Sequence, residues 1–157
     1  MKQPARKIPD CINYINKEAT DMYMIFVKHN CNPRGVLTTD CTTRAIAASS
    51  GIGYDEVREM QFRKARDTGY APDDRKNLSA VLADLGYVRC GKPFKADGTT
   101  YRAGEMDSLL GSGESAVVQI ARHVTCVSGG RLTDVWDCRG KSVYGYWVLR
   151  KGNGSRR

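Results

Sequence analysis

The hydrophobic period of this chain changes once, and that change restricts the folds open to it. Leu78, Val81, Leu82 and Leu85 recur at i, i+3, i+4 and i+7, the stripe of an amphipathic helix, and Gly86 marks its stop. Tyr54, Val57 and Met60 form a partial stripe of the same kind. A short helix is also expected from Cys41 to about Ser49, after Asp40 as N-cap. Beyond residue 87 the segments SAVVQIA, HVTCVS, RLTDVW and VYGYWVL read instead as strands. Gly129-Gly130 between the second and third of these is a two-residue hairpin signal. One earlier strand, YMIFVK, precedes the helices. The expected class is therefore α+β, with N-terminal helices packed on a C-terminal antiparallel sheet. The 157 residues suit one domain over 23–149, with an N-terminal arm over 1–22 and a basic tail over 150–157.

The net charge of +8 raises the question of nucleic acid. Lys2, Arg6, Lys7, Arg150, Lys151, Arg156 and Arg157 carry the excess, and without them 18 basic residues face 17 acidic ones. A nearly neutral body with basic ends implies at most weak, salt-sensitive contact with polyanions. No apolar run approaches a membrane span of roughly 20 residues, so no membrane partner is expected. The start has basic residues but no apolar h-region, so the expected location is cytoplasmic, with the six cysteines reduced. There is no C-x-x-C. His123 and Cys126 are three apart on a strand and so point to opposite faces, which leaves no metal site and no cofactor expected.

The segment TTDCTTRAIAAS places Cys41 at a boundary between a polar turn and an alanine-rich helix. A helix start favours an anion, while the neighbouring Asp40 opposes thiolate formation, so a base must supply most of the activation. Of the two histidines, His29 lies in a turn and His123 begins a strand. Closing the hairpin at Gly129-Gly130 makes Ser128 face Arg131. His123 then opposes Trp136, and His123, Thr125, Asp134 and Trp136 share one face. Asp134 is diagonal to His123 and is the expected orienting residue; a bulge at Trp136 would put Asp137 in its place. The bland alternatives are a small helix-start cysteine and a satisfied core histidine. Arg44 reads as a structural anchor for a nearby acid, and Trp136 and Trp147 as core or groove wall. Cys11, Cys31, Cys90, Cys126 and Cys138 read as structural or incidental.

The order of cysteine at a helix start, helices, histidine strand and acid strand resembles the papain-like cysteine peptidase fold. Asp134-Val135-Trp136 is similar to the asparagine-x-tryptophan of papain. NPRGVLTTDCTTRAIA resembles the N-P-x-G…D-C-x-x-R-A-[IL] segment of small papain-like proteins encoded by phages and prophages, in which counterparts of GGRLTDVWD and GYW also recur. The resemblance runs from Tyr23 to Leu149 and implies Cys41 as nucleophile, His123 as base and Asp134 as orienting residue. It implies a thiol hydrolase acting on a peptide, isopeptide or related amide in a peptide or protein substrate, in the cytoplasm of a bacterial host if phage-encoded. A transamidase on the same three residues, or a fold retained as a binding module, are the alternatives. The family's oxyanion glutamine, six residues before the cysteine, is replaced here by Gly35; Asn32, Thr38 and Thr39 are the candidate donors beside the Cys41 N–H.

Overall fold

A computed structural model describes residues 23–150, so the N-terminal arm expected over 1–22 and most of the basic tail lie outside the described residues. The element order is β1 (Ile25–Lys28), α1 (Cys41–Ser50), α2 (Tyr54–Thr68), α3 (Arg75–Asp84) and β2 (Val88–Cys90), then a 3-10 helix (Ala103–Leu109), β3 (Ser115–Ile120), β4 (His123–Ser128), β5 (Arg131–Asp134) and β6 (Gly145–Leu149). The class is α+β. The sheet has six strands in the order β1-β5-β4-β3-β6-β2.

It is a mixed sheet rather than an antiparallel one, because β1 pairs parallel to β5, Ile25 opposite Arg131 and Lys28 opposite Asp134. A strand that precedes the helices returns to the sheet only after they have crossed its face, and this long connection permits a parallel neighbour. All other pairings are antiparallel.

The two faces of the sheet bury separate clusters. Val117, Val124 and Trp147 pack with Ala45, Ile46, Val57, Leu78, Val81 and Leu82 of the three α-helices. Ala116, Val118, Val127, Leu132 and Cys138 pack on the other face with Met106 and Leu109 of the 3-10 helix. The alternation Ala116, Val117, Val118 across these clusters explains why SAVVQIA reads as a continuous apolar run: both of its faces are covered. The helical stripe over 78–85 is the one expected, with Leu78, Val81 and Leu82 fully inside and Asp74 capping the helix through the Lys76 N–H.

Two tight turns set the register near the candidate residues. Gly129 and Gly130 both have positive φ, 60° and 78°, the left-handed pair that a two-residue hairpin of native twist requires. Ser128 faces Arg131 accordingly. At the other end, β3 and β4 turn through Ala121-Arg122, with Ile120 opposite His123 and Arg122 at φ 57°.

The helix α1 lies on β4 and is anchored through Ile46, which is completely buried. Ile46→Ala is expected to cost about 2–5 kcal/mol. Urea unfolding followed by circular dichroism checks this, and a loss below about 0.5 kcal/mol would mean that α1 is not held by this contact.

Candidate active site

Each of the three residues lies where a strand or helix begins or ends. Cys41 is the first residue of α1, His123 the first of β4 and Asp134 the last of β5. Strand ends leave side chains outside the closed core while the sheet fixes their backbone. Cys41 and His123 are half-buried and Asp134 is buried.

His123 Nε2 lies 2.7 Å from Asp134 Oδ2. The second carboxylate oxygen accepts from the Val135 N–H at 2.7 Å and lies 3.7 Å from the Arg44 guanidinium. The Cys138 thiol points at Oδ2 from 3.7 Å. With Nε2 committed to Asp134, Nδ1 is the ring nitrogen left to act on Cys41, which lines the same cleft as His123. Trp136 stacks at an angle beside the imidazole, ring centroids 5.2 Å apart. It is exposed, so it forms a wall of the site, whereas Trp147 is core.

The electrostatics favour an ion pair. Burial pushes the Cys41 thiol up, but hydrogen bonds from His123 and from the Val124 backbone, with the charges of His123 and Arg44, bring it below its ordinary value. Burial works against protonated His123 as well. Its hydrogen bonds with Asp134, Cys138 and Cys41, and the Asp134 charge, still push it up to about 11. Burial raises Asp134, and the hydrogen bonds and charge of His123, with the Val135 N–H, outweigh it.

Asp40 occupies the N-cap position of α1 but does not cap the helix with its side chain. Its carboxylate turns inward, accepting from Arg44, from the Tyr54 hydroxyl at 2.6 Å and from Asn32 Nδ2 at 3.4 Å. Two consequences follow. The negative charge next to Cys41 is matched by Arg44, the anchor expected from sequence. The first N–H groups of α1 also lack a side-chain cap, which leaves them facing the thiol end of the helix.

Asp137 is not brought to His123; it is exposed and paired with Arg139 at 2.8 Å. Asn32 is buried with its amide nitrogen on Asp40 and Tyr54, and Thr38 and Thr39 are exposed. Gly35 has φ 74° in a turn closed by its N–H on Asn32 O, a conformation that disfavours glutamine there. His29 is exposed.

Sequence reasoning passed over two residues. Cys138, read as incidental, lies against the histidine–aspartate pair; only the fold after β5 brings it there. Gln119 lines a cleft of about 370 Å³ together with Cys41, His123, Thr42, Ile120 and Val124. It sits opposite Val124 in the β3–β4 ladder, and its side-chain amide has no hydrogen-bond partner among the described residues. Strand alternation puts Gln119 on the same face as Val117, toward the helices, and this signal was available in the sequence.

A ring nitrogen of His123, a carboxylate oxygen of Asp134 and Cys138 Sγ lie within 4.8 Å of one another, close enough to be metal ligands. Cys90 is disulfide-bonded, unlike the reduced state expected for every cysteine, while Cys31, Cys41, Cys126 and Cys138 are free thiols.

Compared with known protein families, curated proteins and solved structures, the chain matches none.

The lowered Cys41 pKa fixes a pH dependence. Alkylation by iodoacetamide follows the thiolate, so its inflection is expected below the free-cysteine value. In His123→Ala the inflection is expected to move up toward the free-cysteine value of about 8.5. Identical pH profiles for the two proteins would exclude activation by His123.

Proposed function

We propose that this protein is a cysteine-dependent acyl-transfer enzyme of papain-like type, acting on a peptide, isopeptide or related amide. The observation that carries the reading is that Cys41 and a His123–Asp134 pair meet on one cleft, with His123 among the groups that lower the thiol's pKa. A buried histidine–aspartate pair alone has structural uses. A thiol on the same cleft as that pair, with its pKa lowered by the imidazole, has the arrangement an activated nucleophile needs.

The chemistry follows from these positions. The Cys41 thiolate attacks the amide carbonyl carbon, forming a C–S bond and moving the carbonyl electron pair onto oxygen. The Cys41 backbone N–H, at the uncapped start of α1, faces that oxyanion. We assign the second donor to the Gln119 amide, which enters the same cleft from β3 and takes the part that Gly35 cannot. As the C–N bond breaks, His123 gives its Nδ1 proton to the departing amine, and a thioester remains. His123 then accepts a proton from water as water attacks the thioester, which releases the acid and restores the thiol. An amine in place of water gives transamidation on the same residues. Asp134 holds the imidazole in orientation and stabilises its cationic form.

A pair of reagents isolates these roles. A peptide aldehyde binds a cysteine reversibly as a hemithioacetal, which carries an oxygen in the oxyanion position, whereas a chloroacetamide alkylates sulfur without one. Gln119→Ala is expected to weaken aldehyde affinity roughly 100-fold. Its chloroacetamide rate should change by less than about threefold. Loss of both in Cys41→Ala completes the pattern. Equal loss of the two in Gln119→Ala would assign that residue to folding, and an aldehyde that binds Cys41→Ala as well as wild type would overturn the hydrolase reading.

A further inference from the structure

The cleft beside Cys41 carries two arginines that local structure disfavours. Arg75 is the first residue of α3, where a cation meets the positive end of the helix dipole. Arg122 has φ 57° in the β3–β4 turn, a left-handed conformation that costs roughly 1–2 kcal/mol for a residue with a side chain of this kind. Neither guanidinium has an ion-pair or hydrogen-bond partner among the described residues. Asp73, the one acid lining the cleft among the described residues, is already matched by Arg58 at 3.2 Å and Thr42 at 3.4 Å.

Positions where a sequence breaks its local rules without an internal gain are where function is expected to compensate. We propose that Arg75 and Arg122 bind a carboxylate of the substrate, so that the preferred amide is one flanked by an acidic residue or by a chain-terminal carboxylate. This deepens the reading of Cys41 as a nucleophile and rests on it. Arg122 immediately precedes His123, and Arg75 begins the helix whose Leu78 also lines the cleft, so both arginines line the cleft on which Cys41 opens. A carboxylate bound there displaces no existing partner of either guanidinium among the described residues. Guanidinium groups match it bidentately, which adds orientation to attraction.

Three chloroacetyl probes share one reaction, in which Cys41 sulfur displaces chloride and forms a C–S bond. Chloroacetyl-Glu-amide carries a side-chain carboxylate, chloroacetyl-Gln a terminal one, and chloroacetyl-Gln-amide neither. Wild type is expected to react with one acidic probe roughly fivefold faster than with the neutral one at low salt. Which acidic probe leads identifies the carboxylate. The advantage should fall toward one near 1 M salt, where screening is nearly complete. In the double variant Arg75→Gln/Arg122→Asn, with asparagine chosen because it tolerates the left-handed turn, the ratio of acidic to neutral rates should also fall to about one. The ratio and the salt response of wild type do not depend on how well the variant folds. Fast labelling of Cys41 by all three probes at equal rates would overturn the carboxylate site and leave the hydrolase reading intact. Labelling of Cys41 no faster than in His123→Ala would remove both.

Discussion

The candidate site depends on the register of one hairpin. Gly129 and Gly130 close β4 on β5 with two left-handed residues, and that turn allows one pairing, Ser128 opposite Arg131. Counting from it brings Asp134 to within 2.7 Å of His123. A slip of a single residue would carry every β5 side chain to the opposite face and leave the imidazole without its carboxylate. A turn about 20 Å of strand away therefore controls the orientation of the base, at the strand rise of roughly 3.3 Å per residue.

Charge is balanced across elements rather than within them. Arg44, buried on α1, touches Asp40 at the helix start and Asp134 at the end of β5. Buried carboxylates are costly unless paired, and one guanidinium serves both. The arrangement ties the helix that carries Cys41 to the strand that orients His123. It also draws Asp40 away from the helix N–H groups. The carboxylate that by sequence would cap α1 and oppose a thiolate instead faces Arg44, Tyr54 and Asn32.

Strand alternation and one hairpin signal made His123, Asp134 and Trp136 legible as neighbours, because period-2 geometry converts sequence distance directly into direction. The helical stripe of α3 was legible for the same reason. The parallel pairing of β1 was not: a short strand carries no mark of which neighbour it will choose when its partner is over a hundred residues away. Cys138 and the inward turn of Asp40 were hidden too, since both depend on loops and side-chain rotations that follow tertiary packing. Gln119 lay between these cases. Its strand face could be counted, but the cleft it borders exists only once α1, α3 and the β3–β4 turn are assembled.

The proposed chemistry requires Cys41 and His123 to form a thiolate–imidazolium pair held by Asp134. The most direct measurement is the nitrogen NMR spectrum of the His123 ring near neutral pH, in wild type and in Cys41→Ser. In wild type both ring nitrogens are expected to be protonated, because the His123 pKa is pushed up to about 11. Removing the thiolate should lower the pH at which the ring loses its proton. A neutral His123 in wild type, titrating near its ordinary value of about 6.5, would mean that no such ion pair forms.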